Sequence, residues 1–285
     1  MIGLTLAVLV LANLSSVSLS AAAGDPKHGE YIVRLGGCLG CHTEDKKSAV
    51  PFAGGRALKT PFGTFFGPNI TPHPQAGIGR WTEADFIRAM RHGKRPDGAN
   101  YFPAFPYPSF TKITDNDLRD LWAYLRTLPP TGRANQEHNL RFPFGWRFLV
   151  TIWKWFFFSP GPFAADPRLA QPVNRGAYLV QALGHCGECH TPRNFLGGPI
   201  SSRSLAGGKG LEAKRVPNLT PSRLEQWSDA ELKGFLLTGD TPDGDTAASP
   251  MDEVIRNTTS QLTPGDLAAL IAYLRSLPPL PDESR

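Results

Sequence analysis

Cysteine and methionine are both scarce in this chain, and their scarcity narrows what it can be. Of 285 residues, four are cysteine and three methionine. The cysteines form two close pairs, Cys38 with Cys41 and Cys186 with Cys189, and none is left over. An even count in an exported chain ordinarily suggests disulfides, but here the spacing overrides that reading. Charge is missing from the first 23 residues, where an apolar run, Ile2 to Leu14, leads to Ala21, Ala22 and Ala23. Residues 1–23 therefore read as a secretory signal cut near Ala21–Ala23. The basic start of such a signal is also absent, which fits a start codon placed late or an uncleaved anchor. The apolar run is short for a membrane span. No proline-rich or glycine-rich tract marks a disordered segment. The net charge of +5 shows no basic patch of the kind that binds nucleic acid.

Each cysteine pair is separated by two residues and followed at once by histidine: Cys38-Leu39-Gly40-Cys41-His42 and Cys186-Gly187-Glu188-Cys189-His190. Two thiols at this spacing reach the two vinyl groups on one edge of a porphyrin, and the next side chain swings its imidazole under the iron. A zinc knuckle would need further Cys or His at ligand spacing nearby. A thioredoxin-like redox pair would not need histidine directly after both pairs. The pattern predicts two covalently bound haem c groups, with His42 and His190 as proximal ligands.

The motifs lie in a repeat. Gly29-Glu30-Tyr31-Ile32-Val33 is answered by Gly176-Ala177-Tyr178-Leu179-Val180, and Pro68-Asn69-Ile70-Thr71-Pro72 by Pro217-Asn218-Leu219-Thr220-Pro221. Ala123-Tyr124-Leu125-Arg126 is answered by Ala272-Tyr273-Leu274-Arg275 in the same order, so the chain is a tandem duplication. Asp25 is placed to cap a helix starting at Pro26, Thr82 to cap a middle helix, and Ser228 with Glu231 to form a capping box. Leu118, Leu121, Trp122 and Leu125 share one helical face, as do Leu267, Leu270, Ile271 and Leu274, and both helices end before Pro-Pro. The fold class expected is all-α: two tandem class I cytochrome c domains, 24–131 and 171–285, joined by an aromatic-rich connector, 132–170.

The sixth iron ligand differs between the halves. Met251, in Ala248-Ser249-Pro250-Met251 before the last helix, is where a distal thioether belongs, so His190 and Met251 are assigned to the second haem. Trp81 and Trp227 are 146 residues apart, as are Gly98 and Gly244, and the same offset carries Met251 onto Phe105. Phenylalanine cannot ligate iron. The first haem is then five-coordinate or takes another ligand, with His92 the weak candidate, Tyr101 and Tyr107 offering phenols and His73 placed lower; Met90 reads as core. Such a haem is expected to have a lower potential and partly high-spin character.

The connector stretch Phe142 to Phe158 carries Arg147 and Lys154 among many aromatics. It is too short to span a bilayer. It suits either a strut hiding its own rings or a surface for a partner or a membrane interface.

With these residues laid out, the chain resembles the cytochrome c subunits of bacterial membrane-bound alcohol, aldehyde and gluconate dehydrogenases. The resemblance rests on both haem motifs, on Pro68-Asn69-Ile70-Thr71-Pro72 with Gly77-Ile78-Gly79-Arg80-Trp81, on Tyr101 to Tyr107, on Phe142 to Phe158 and on Arg175 to Cys186. It implies a periplasmic protein, with possible association to the cytoplasmic membrane through 142–158. It also implies that electrons come one at a time from a dehydrogenase catalytic subunit and pass to a respiratory acceptor, with no catalytic residues of its own. Members commonly have three haem domains, a C-terminal anchor and methionine near residue 105; here there are two haem motifs, a polar end and Phe105. The alternative is a peroxidase-like enzyme using an open first haem, which would need an acid or base over the iron. A thiosulfate-oxidising enzyme would want a spare cysteine, and a gas sensor a signalling domain.

Overall fold

The computed structural model describes residues 23–209 and 215–282. The signal expected over 1–23 lies, apart from Ala23, outside the described residues.

Helix α1 (Pro26–Leu35) starts where expected: the Asp25 side chain accepts from the Lys27 N–H, and proline occupies the first turn. A single turn, α2 (Cys38–His42), follows. Strands β1 (Ala57–Thr60) and β2 (Gly63–Phe66) then pair antiparallel. Helix α3 (Glu83–His92) has Thr82 and Asp85 closing its capping box. A turn, α4 (Tyr107–Phe110), leads to α5 (Asp115–Leu125), which buries Leu118, Leu121 and Leu125. In the connector, β3 (Asn139–Leu140) adds to the edge of β2, and α6 (Arg147–Phe157) follows. The second half repeats the plan with α7 (Gln171–Tyr178), α8 (Gly187–His190), β4 (Gly208–Lys209) paired to β5 (Arg215–Val216), α9 (Pro221–Leu224) and α10 (Asp229–Thr238). It ends with α11 (Met251–Asn257) and α12 (Pro264–Ser276).

The expected all-α class is corrected by these five strands in two small antiparallel sheets. Between Ala57 and Phe66 the chain has no helical partner for its peptide groups. They pair instead across a hairpin whose turn ends at Gly63, held at φ +124°.

The paired helices of each half pack backbone to backbone. A Cβ on Gly29 would sit 1.9 Å from the Asp120 carbonyl oxygen, and one on Gly176 would sit 1.9 Å from that of Ala269. Only glycine permits this approach of α1 to α5 and of α7 to α12, which explains its recurrence in the repeat.

The halves meet by reciprocal contacts. The Tyr31 hydroxyl donates to Asp266 Oδ2 at 2.8 Å and accepts from the Thr263 N–H at 3.1 Å. The equivalent Tyr178 donates to Asp117, the counterpart of Asp266, and accepts from the Thr114 N–H at 3.2 Å. Arg34 donates to Gln261 at 3.0 Å, and Lys112 to Gln181 at 3.1 Å. Residue i meets j and its counterpart meets the counterpart of i, the arrangement of a two-fold interface inside one chain. One apolar cluster runs through both halves, from Ile32 and Leu118 to Leu183 and Leu267.

This interface sets an acid limit. Burial alone would raise the Asp266 carboxyl, but hydrogen bonds from Arg175 (2.7 and 2.8 Å) and Tyr31 outweigh it and hold the carboxyl below its usual range. A depressed folded-state value stabilises fully above the unfolded one, about pH 4, and the benefit is lost as pH falls through the folded value. Asp266→Ala is expected to lower stability by ~1–3 kcal/mol near neutrality and to have a smaller effect in acid. Urea midpoints of the haem-loaded protein check this, and equal losses at pH 7 and in acid would contradict it.

Candidate functional site

Both cysteine motifs form short helical turns after the first helix of their half. In α2 one helical turn puts Cys38 and Cys41 on the same side, with His42 next along. The turn is entered through Gly37 in a left-handed conformation, and its counterpart α8 follows His185, which also has positive φ. All four thiols are free and half-buried. Burial pushes Cys38 and Cys186 up to about 12 and Cys41 up to about 11, and it raises Cys189.

The two imidazoles are held alike. His42 Nδ1 lies 2.7 Å from the Pro68 carbonyl oxygen, and His190 Nδ1 lies 2.7 Å from that of Pro217. A carbonyl can only accept, so Nδ1 carries the proton and Nε2 keeps its lone pair for a metal. This is the outer-shell bond that fixes the tautomer and plane of a metal-bound histidine. Burial lowers both histidines toward the neutral form, against the opposing effect of the carbonyl bond.

The prolines belong to the repeated Pro-Asn-x-Thr-Pro segments, whose role sequence reading missed. Asn69 Nδ2 donates to the carbonyls of Thr131 and Arg133 at 2.7 and 3.1 Å, while its Oδ1 accepts from Thr71. Asn218 likewise donates to the Leu280 carbonyl and accepts from the Thr220 N–H. Both asparagines are buried, so each loop is pinned where its proline carbonyl must meet histidine. The signal available was a polar residue repeated at nearly the same distance from each motif, 27 residues after His42 and 28 after His190.

At the positions expected to supply the sixth ligand the halves diverge. Met251 is the first residue of α11, not part of an open loop, and is half-buried against the central cluster. Phe105 stands before α4 inside an aromatic group, with ring centroids 5.3 Å from Tyr101, 6.2 Å from Tyr107 and 5.8 Å from Phe110. His92 is exposed at the end of α3, whereas Met90 is buried in the core. His73 Nδ1 accepts from the N–H groups of Gln75 and Ala76, a turn-forming role. Tyr107 is fully buried, and its hydroxyl finds no hydrogen-bond partner among the described residues. Burial pushes Tyr101 up to about 12 and raises Tyr107 as well.

The two motifs converge on the interface between the halves. His185 Nε2, next to Cys186, lies 3.3 Å from the carbonyl oxygen of Gly36, two residues before Cys38. Arg56 bridges to Glu253 at 2.7 Å. From the second motif Glu188 accepts from the Ser109 hydroxyl at 2.6 Å, and the His185 ring meets Phe110 edge-on at 5.3 Å.

These residues fit a tethered haem: thiols in pairs on one side of a turn, neutral imidazoles with Nε2 available, and a buried phenol hydroxyl left unsatisfied for a bound group or water to meet.

Comparison with known proteins agrees. The cytochrome c family model matches residues 27–129. A diheme cytochrome c-type protein of Cereibacter sphaeroides is 45% identical, covering 90% of this chain and 86% of that protein. The fructose dehydrogenase cytochrome subunit of Gluconobacter japonicus is 40% identical over 88% of this chain and 52% of its own length. The gluconate 2-dehydrogenase cytochrome c subunit of Pantoea cypripedii is 36% identical over 94% of this chain and 64% of its own. The chain thus spans between half and two thirds of these dehydrogenase subunits. It belongs to the diheme c-type cytochromes, proteins that carry two covalently bound haem c groups.

Proposed function

We propose that this protein is the electron-transfer subunit of a periplasmic dehydrogenase, passing single electrons from that enzyme's catalytic subunit to a respiratory acceptor at the membrane. Cys38 and Cys41 tether the first haem and Cys186 and Cys189 the second, with His42 and His190 as proximal ligands and Met251 completing the second site. Haem c supplies a one-electron couple. The chain's part is to hold each imidazole in one tautomer, to keep both sites in apolar surroundings and to bring them to one interface. The observation that carries this reading is that last part of the geometry: at the junction of the halves His185 Nε2, beside the second motif, lies 3.3 Å from the Gly36 carbonyl oxygen just before the first, and Arg56 bridges to Glu253 at 2.7 Å. Two centres joined at a shared, rigidly bonded junction suit relay from one to the other. The relatives named as dehydrogenase cytochrome subunits support the donor class. None of the three relatives is named a peroxidase.

Stopped-flow mixing of the oxidised protein with a periplasmic dehydrogenase and its substrate is expected to reduce both haems in sequence, with peroxide consumed only at background. Rapid peroxide turnover by the isolated protein, with no reduction by any dehydrogenase, would overturn the proposal.

A further inference from the structure

Helix α6 buries Val150 and yet presents a second, larger set of apolar side chains to solvent, while its cations bond inward. Arg147, Thr151 and Lys154, spaced i, i+4 and i+7, turn toward the protein. Arg147 donates to the Asn100 carbonyl at 2.6 Å and lies 4.5 Å over the Phe102 ring. Thr151 accepts from Asn100 at 2.7 Å, and Lys154 donates to the His92 and Gly93 carbonyls at 2.7 and 3.0 Å. The apolar residues Phe148, Ile152, Trp155 and Phe156, also at i, i+4, i+7 and i+8, are exposed. Soluble helices ordinarily turn these two faces the other way. The strut reading accounts for the inner face and leaves the outer one unexplained.

The exposed face extends beyond the helix. Phe142 and Trp146 precede it, stacked edge to face at 5.0 Å. From the second half, the loop carrying Phe195 is held to α6 by Trp153, whose indole donates to the Leu196 carbonyl at 3.1 Å. Phe142, Trp155 and Phe195 are 79%, 81% and 89% exposed, so they project from the surface and do not line a groove. From Asn139 to Ala165 there is no acidic residue. The flank is cationic: Arg141 is exposed, and Lys94 and Arg95 lie near Lys154 and Arg147, with Asp97 bonded to Arg95.

We infer that this face, built by α6, Phe142, Trp146 and Phe195, lies against an anionic lipid surface. Projecting Trp and Phe side chains enter the headgroup layer, about 5–10 Å deep, while the flanking cations meet lipid phosphates. Exposed aromatics serve protein interfaces as well, and lipid is favoured here because the segment from Asn139 to Ala165 carries cations and no acidic residue. Lipid contact would hold the protein beside the membrane, and it rests on the proposed function only in taking that membrane to be the one facing the periplasm.

The test uses the haem-loaded protein and a Trp155→Glu/Phe156→Glu variant with the same N-terminus, so any contribution from that end cancels. Both substituted positions are solvent-facing, and matching haem spectra confirm an intact fold. Sedimentation with vesicles of phosphatidylcholine and phosphatidylglycerol is expected to show binding that weakens about tenfold or more in the variant, weakens with added salt, and blue-shifts the tryptophan emission. Equal binding of both proteins, or none to these vesicles, would overturn the inference. So would a variant that binds vesicles normally but is no longer reduced by its dehydrogenase, because the face would then dock protein. No electron donor is present in the vesicle assay, so its failure leaves the electron-transfer reading standing.

Discussion

A Cys186→Ala/Cys189→Ala variant is expected to carry one haem per chain where the unmodified protein carries two, with the loss confined to the second site. On the proposed assignment the thiols are the covalent tether, and without them only the His190–iron bond and apolar contact would hold the group. The structural effect should exceed that of an ordinary surface change. A tethered haem would add buried apolar mass to its half, so losing it is expected to loosen that half's packing. Because one apolar cluster runs through both halves, loosening the second should also expose the first. The expected result is haem absorbance per chain halved and proteolysis that begins in the second half. Pyridine haemochrome assay against protein mass checks the stoichiometry. Two haems retained in the variant would mean that Cys186 and Cys189 are not the tether.

Phe105→Met should give the second large effect. The position equivalent to Met251 is Phe105, set among Tyr101, Tyr107 and Phe110. A thioether there can bind the first iron, because methionine is flexible and of similar volume. The near-infrared thioether-to-iron band should then roughly double, and high-spin absorbance should disappear. The potential of that haem should rise on the order of 0.1 V, since axial ligands tune haem over ~0.8 V. Met251→Leu should act in the opposite sense at the second haem: loss of the band and a lower potential. Spectroelectrochemical titration resolves both. An unmodified protein already showing two thioether-ligated, low-spin haems would remove the distinction between the halves.

Local rules made much of this legible in advance. Asp25, Thr82 and Ser228 cap the helices they were expected to cap, because capping depends on a side chain and the backbone a few residues away. The buried faces of α5 and α12 follow from 3.6-residue periodicity. The strands escaped because each is two to four residues long, and their pairing joins segments as distant as Gly63 and Leu140. Pro250 reads equally as a loop residue or a helix start, and Met251 opens α11. The bond from each proline carbonyl to histidine spans 26 residues in the first half and 27 in the second, and no local pattern reports such a contact. The Tyr31–Asp266 and Tyr178–Asp117 exchange was equally hidden, though the repeat held all four residues at matching places.

The central claim is that each half of the chain holds a haem fastened by thioether bonds. Intact-mass spectrometry of the haem-loaded protein under denaturing conditions tests it most directly. The expected result is one species whose mass is the polypeptide plus two haem groups, with the added mass falling on peptides containing Cys38–Cys41 and Cys186–Cys189. A species at polypeptide mass, with its pigment released by acid and acetone, would contradict it.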